Sequence, residues 1–235
     1  MNKLIVVTGG TKGIGRAILE KFAAQGFDLA TCSRKTEELE KLKTTMKRDY
    51  PASTVYTISA DLSDKHQVLS FCNFVRGLNR PVDVLVNNAG YFIPGEITNE
   101  PEGTLESMIN ANLYSAYHTT RGLIAVMKEN KAGHIFNMCS IASFTAYSNG
   151  GSYAISKFAM LGFSKCLRAE LKGFGIRVTA VMPGATKTES WDGTDEPEER
   201  FMKPEDVAET VYAAYSLSGR TVVEEVILRP QLGDL

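Results

Sequence analysis

Three residues able to move a proton or steady a charge fall close together in the middle of the chain. Ser140 precedes Tyr153 by 13 residues, and Lys157 follows it within Ser152-Tyr153-Ala154-Ile155-Ser156-Lys157. In a helix, the i to i+4 spacing puts the Tyr153 hydroxyl and the Lys157 ammonium on one face. A phenol titrates near 10, too high for proton transfer at neutral pH, and a neighbouring cation favours its ionised form. Such a phenol can give a proton to a carbonyl oxygen or take one from an alcohol. Alone the pair carries little weight, since a chain with this many tyrosines and lysines yields roughly half a chance match to Y-x-x-x-K.

The N-terminal residues supply a second chemistry. Leu4-Ile5-Val6-Val7 is an apolar β-branched run, followed by Thr8-Gly9-Gly10-Thr11-Lys12-Gly13-Ile14-Gly15 and a helical pattern at Ile18, Leu19, Phe22 and Ala23. The order is strand, glycine-rich turn, helix. Glycines let backbone approach a pyrophosphate closely, and the helix start offers it free N–H groups. The spacing G-x-x-x-G-x-G departs from G-x-G-x-x-G, yet dinucleotide binding is the reading this context favours.

Thr8 to Gly15 as TGGTKGIG, Asn87-Asn88-Ala89-Gly90, Asn112, Ser140, Tyr153 with Lys157, and Pro183-Gly184 stand in the order and spacing of the short-chain dehydrogenase/reductases. The resemblance spans essentially the whole chain. It implies that Tyr153 is the general acid or base and that Ser140 hydrogen-bonds the substrate oxygen. Lys157 is implied to lower the tyrosine's pKa and hold the nicotinamide ribose, and Asn112 to hold a water that links Lys157 to solvent. It places Gly9, Thr11, Lys12, Gly13, Ile14 and Gly15, then Asn88, Ala89 and Gly90, against the cofactor. Asp61 with Leu62 would meet the adenine. The loop Pro183-Gly184-Ala185-Thr186-Lys187-Thr188 would touch the carboxamide near Thr186 and the pyrophosphate at Thr188.

Charge selects the nicotinamide type. The second strand ends Thr31-Cys32-Ser33-Arg34 without a carboxylate. Arg34 can fork onto a 2′-phosphate, with Lys12 adding a point charge, so NADP(H) is expected. Glu37 and Glu38, a turn later, are expected to point away. Many family members carry V-D-G-G after the last strand; this chain runs instead from Arg220 to Leu235 without it. That tail, with the sole tryptophan Trp191, resembles the family's bacterial sepiapterin-reductase-like branch. Trp191 could stack on a flat heteroaromatic substrate or anchor a lid, and Asp234 could hydrogen-bond a pterin amine. The activity so implied is reduction of a ketone or diketone. Reduction of a 3-oxoacyl thioester or handling of a 3-hydroxy acid stays open, as do epimerase or dehydratase chemistry and a non-catalytic NADP sensor.

These groups must be positioned by the elements around them. Strands are predicted at 27–31, 55–59, 82–86, 134–138, 177–182 and 222–228 after the first. Helices are predicted at 36–48, from a Ser63 cap to 78, at 104–128, 153–171 and 204–217. Seven strands alternating with helices imply one doubly wound α/β domain, its sheet mostly parallel with helices on both faces. The glycine turn, Asp61, Asn88, Ser140 and Pro183 then all fall at carboxyl ends of strands, where such sheets bind ligands.

The chain has 235 residues, 43% of them hydrophobic, enough for one buried core. A net charge of −1 gives no sign of a nucleic-acid or anionic-membrane partner. No apolar run reaches the ~18 residues a membrane span needs. Strand-like sequence within four residues of Met1 leaves no room for a targeting segment, so a cytoplasmic location is expected. Cys32, Cys72, Cys139 and Cys166 lack zinc or C-x-x-C spacing and are expected as reduced core thiols; His66, His118 and His134 lie far apart, so no metal is expected. The Tyr153 helix and the helix at 104–128 resemble the family's dimerising surfaces, and a homodimer or homotetramer is expected.

Overall fold

The computed structural model describes residues 1–191 and 193–235. Seven strands form one sheet: β1 (Leu4–Thr8), β2 (Asp28–Ser33), β3 (Val55–Ser59), β4 (Val84–Asn87), β5 (Gly133–Met138), β6 (Ile176–Pro183) and β7 (Glu225–Leu228). Their order is β3-β2-β1-β4-β5-β6-β7, with every pair parallel. The chain moves outward from β1 in one direction to β3 and then returns to lay β4 on the other side of β1. The loops leaving β1 and β4 therefore diverge, and a crevice opens between them.

Alternation within the strands feeds two cores. Ile5, Val7, Val84, Val86 and Phe136 face α1 (Gly13–Ala24), α2 (Thr36–Asp49) and α7 (Pro204–Ser216). Leu4, Val6, Leu85 and Ile135 face α3 (Lys65–Arg76), α5 (Ser115–Asn130) and α6 (Gly151–Leu171). A strand buried on both faces reads as a continuous apolar run, which is why Leu4 to Val7 carries no polar position. Between α1 and α7 the Phe22 ring meets Phe27 edge-on at 5.0 Å and Tyr212 at 5.3 Å, fixing the first helix beneath the glycine turn.

Some boundaries differ from expectation for identifiable reasons. The cap of α3 is Asp64, whose carboxylate accepts from the His66 N–H at 2.8 Å, while Ser63 bonds back to Asp61. Residues 104–130 are not one regular helix: α4 (Thr104–Ile109) passes into α5 through a π-helical turn at Asn110–Tyr114. One extra residue per turn rotates a helix face locally, a device common at functional sites. The last strand is the short Glu225–Leu228, since only these residues pair with β6.

At the opposite end of the sheet, Arg80 and Asp28 form a buried pair, Nη1 to Oδ2 2.6 Å, with each side chain 6% exposed. Burial pushes the Asp28 carboxyl up, but hydrogen bonds from the Thr54 N–H, Arg80 and Asn2 outweigh it and hold it below 3.8. Removing the guanidinium strands a buried carboxylate, so Arg80→Ala is expected to cost about 3 kcal/mol in urea unfolding at neutral pH. The stabilisation of this depressed carboxyl is complete above pH 3.8 and is lost as pH falls through the folded value. The variant's deficit should therefore narrow in acid. A variant as stable as the wild type at neutral pH would show the pair to be idle.

Among the described residues no helix is long and apolar enough to cross a membrane, and no group of three or more His, Cys, Asp or Glu is placed to hold a metal ion. Cys32, Cys72 and Cys139 are buried free thiols, but Cys166 is not in the core: it lies on the exposed side of α6.

Candidate active site

The crevice is a cleft of about 690 Å³ over the carboxyl ends of β1, β4, β5 and β6. Its glycine wall is shaped by backbone that side chains would obstruct. Gly9 and Gly13 adopt φ of +67° and +50°, in the left-handed region. A Cβ on Gly15 would stand 2.5 Å from the Gly9 carbonyl oxygen, so the turn cannot close with a larger residue there. Beyond it α1 starts with no side-chain cap, leaving its first N–H groups turned toward the cleft.

The turn is braced from β4. The Asn88 amide donates to the Thr8 and Gly9 carbonyls, each at 3.0 Å, and the Thr8 hydroxyl accepts from the Asn88 and Ala89 N–H groups at 2.9 and 3.0 Å. Asn88 and Gly90 also line the cleft, whereas Ala89 packs beneath it against the core. Thr8 was not singled out from the sequence, and no local signal marks it.

Opposite the glycine wall, Ser140 leaves the end of β5 and Tyr153 and Lys157 project from the first turns of α6; all three line the cleft. The Ser140 Oγ accepts from the Ala142 N–H at 3.1 Å, and the Ser143 Oγ accepts from the Ser140 N–H at 3.1 Å. This capping box fixes the hydroxyl beside Tyr153. Lys157 is buried, with Nζ donating to the Met138 carbonyl at 2.8 Å and lying 5.6 Å from the centre of the Tyr153 ring.

Here the expected electrostatics reverse. Burial pushes the Tyr153 phenol above 10, only partly offset by a hydrogen bond with Ser140, and burial also pulls Lys157 below 10.5. The neighbouring Lys157 does not reverse this direction, because both groups lose water together. Tyr153 is then a neutral phenol at physiological pH, the form that can give a proton.

Asn112 occupies the π turn and is 1% exposed. Its side chain accepts from the Tyr91 N–H at 2.9 Å and donates to the Tyr91 carbonyl at 3.1 Å and to Ser156 Oγ at 2.9 Å. The amide thus ties the loop after β4 to α6. Phe92, next in that loop, meets the Tyr153 ring edge-on at 4.8 Å. Glu100 in the same loop accepts from the Ser152 N–H at 2.9 Å and from the Ser152 hydroxyl, holding the start of α6. Gly151 makes room for it, since a Cβ there would collide with the Glu100 carboxylate, and that glycine is the sequence sign of the contact.

Pro183, Gly184, Thr186 and Thr188 line the remaining wall, and Thr188 leans onto Gly13. Trp191 lines the mouth and packs against Phe201 with ring centres 5.0 Å apart, so it is both a wall and an anchor. Asp234 reaches the rim, where Arg229 pairs with its carboxylate.

Five expected cofactor residues lie outside the cleft lining: Ala89, Thr11, Arg34, Asp61 and Leu62. Asp61 accepts from the Ser63 N–H and hydroxyl at 3.0 and 2.8 Å, the behaviour of a turn carboxylate, and Leu62 is packed in the core. Arg34 is exposed and, among the described residues, makes no ion pair. Glu38 does not point away. As the third residue of α2 its side chain leans back toward the helix start, where Oε2 accepts from Thr11 at 3.1 Å and Oε1 stands 3.2 Å from Lys12.

Residues 3–199 match the family model described as short chain dehydrogenase. The chain belongs to that family. It is 35% identical over 243 aligned residues to the sepiapterin reductase of Chlorobaculum tepidum, covering 100% of this chain and 99% of that one. The alcohol dehydrogenase of the archaeon Thermococcus sibiricus, solved with 5-hydroxy-NADP, superposes with a TM-score of 0.91 at 27% identity, covering 98% of this chain and 97% of that chain. The L-sorbose reductase of Gluconobacter frateurii, solved with NADPH and L-sorbose, superposes at 0.89 with 25% identity, covering 97% and 95%. A short-chain dehydrogenase is an oxidoreductase, and the all-parallel seven-stranded sheet is the fold these structures share.

Proposed function

We propose that this short-chain dehydrogenase is an NADP(H)-dependent reductase of a ketone or diketone carried on a flat heteroaromatic ring, such as a pterin side chain. The observation that carries the reading is the grouping of the Tyr153 phenol, the Ser140 hydroxyl and the Lys157 ammonium across the cleft from the glycine turn. The turn fits a dinucleotide: Gly9 and Gly13, at φ of +67° and +50°, bring bare backbone to the cleft wall, and the uncapped start of α1 faces it. The bound dinucleotide supplies the hydride.

Within the cleft Tyr153 gives its proton to the substrate oxygen while Ser140 donates a hydrogen bond to the same atom. Lys157, held by the Met138 carbonyl, steadies the phenolate left behind and meets the ribose hydroxyls. Asn112 and Glu100 hold the Tyr91–Phe92 loop and the start of α6 at their working separation. Phe92, Tyr147 and Trp191 form apolar walls for a ring. Asp234, fixed by Arg229, offers a carboxylate to an exocyclic amine. The likeness to a sepiapterin reductase supports the substrate class, and the nucleotides in the two superposed structures support the cofactor. Exposed Tyr114 at the end of the π turn, Tyr117 on α5, and Ile155 and Phe158 on α6 support self-association into a homodimer or homotetramer.

The test is NADPH consumption against sepiapterin, small α-diketones, an acetoacetyl thioester and simple aldehydes, with NADH in parallel. Selective turnover of sepiapterin or a diketone is expected. Activity confined to the thioester would replace the substrate class, and silence throughout would remove the catalytic reading.

A further inference from the structure

Lys12 is the only cation of the glycine turn, and it is already committed. Its Nζ lies 3.2 Å from Glu38 Oε1 and 2.7 Å from Glu189 Oε1. Glu38 gathers more than Lys12: its Oε2 accepts from the hydroxyls of Thr11 at 3.1 Å and Ser33 at 3.3 Å, and Lys35 stands 3.5 Å from Oε1. The Glu38 side chain is only 19% exposed, so its charge is less screened than a surface carboxylate's. Burial pushes its carboxyl up, but hydrogen bonds from Lys12 and Thr11 outweigh that and keep it ionised. Lys12 and Lys35 against Glu38 and Glu189 sum to zero formal charge. At the end of β2 Lys12 is therefore already paired within a hydrogen-bonded cluster, and Arg34 beside it is left, among the described residues, as the cation without an ion pair.

Two ribose chemistries meet this cluster differently. A 2′-phosphate brings nearly two negative charges and needs the donors that Glu38 already holds, the Lys12 ammonium and two hydroxyls. A free 2′-hydroxyl brings a donor and finds in Glu38 an acceptor. Resting on the nucleotide reading above, we infer that Glu38 is a specificity-determining residue, competing with a 2′-phosphate for Lys12, Thr11 and Ser33 and accepting from an unphosphorylated ribose. Discrimination in favour of the phosphorylated nucleotide is then weaker than Lys12 and Arg34 alone would produce. Glu37, one residue earlier, is exposed and has no part in the cluster.

The experiment is calorimetric titration of NADP⁺ and of NAD⁺ into the wild type and Glu38→Gln, with no substrate and no turnover. Glutamine keeps the side-chain length and removes the charge. The expected result is about tenfold tighter NADP⁺ binding in the variant and unchanged or weaker NAD⁺ binding, so that the affinity ratio rises by about tenfold or more. Glu38→Thr, small enough for the site and also uncharged, is expected to raise the ratio in the same direction, which keeps the test open should the glutamine variant not fold. An unchanged ratio, or weaker NADP⁺ binding in the variants, overturns the role of Glu38 while leaving the cofactor reading in place. A wild type that binds neither nucleotide removes both.

Discussion

Replacing Tyr153 with phenylalanine is expected to lower kcat by about a thousandfold, with NADPH binding and the unfolding midpoint close to wild type. The substitution deletes one oxygen and keeps the ring, so the edge-on contact with Phe92 at 4.8 Å survives. What is lost is the proton and the hydrogen bond with Ser140. Since the phenol is held above its ordinary 10 by burial, the nucleotide-free protein should show no tyrosinate from this residue at neutral pH. A difference titration of wild type against variant measures this directly, the missing absorbance change falling above pH 10. Turnover within a few fold of wild type would take Tyr153 out of the acid role. A tyrosinate signal below pH 9 would instead mean that Lys157 governs the phenol after all.

Lys157→Met is expected to abolish measurable turnover, with a loss of about a thousandfold or more, and yet to raise the stability of the nucleotide-free protein by about 1 kcal/mol. The ammonium is buried, its one hydrogen-bond acceptor among the described residues is the Met138 carbonyl, and burial holds its pKa below 10.5. Methionine fills much the same volume without a charge to desolvate, although it leaves that carbonyl unpaired, which limits the gain. The sign with pH follows from proton counting. Between the depressed folded value and 10.5 the unfolded chain binds the extra proton, so wild-type stability rises with pH across that window. The methionine variant should lack this rise. Urea titrations of wild type and variant at a series of pH values up to 10.5 measure it, the difference between the two curves removing the titration common to both. A variant less stable than wild type and with the same slope would contradict a desolvated lysine.

Much of this was legible before any coordinates. Ser140, Tyr153 and Lys157 could be read because each relation is local: a residue at a strand end, and two on one turn of one helix. The strand ends themselves followed from apolar runs broken by glycine and asparagine. What escaped depends on the distance between elements. Glu38 was misdirected because only the approach of α2 to the glycine turn decides which way a first-turn side chain leans. Glu100 was invisible because its partner Ser152 lies 52 residues on. The π turn at Asn110–Tyr114 hides within a helical pattern that tolerates one extra residue. The direction of the Tyr153 shift was missed for a different reason: a sequence shows the neighbouring cation but not the shared loss of water.

The brace between Thr8 and Asn88 bears on how the site comes into being. These hydrogen bonds join residues 80 positions apart, and the central strand β1 finds its second partner only when Ile5 meets Val84. The glycine turn is therefore a local motif without a local structure. Its sequence is complete within the first β–α unit, but its shape waits until three such units have formed and the chain has doubled back to dock β4. Closing so long a loop is a slow, entropically costly event in folding, and it comes before any ligand can be gripped. Nucleotide affinity is thus a late reporter of folding, gained when the two halves of the sheet have met.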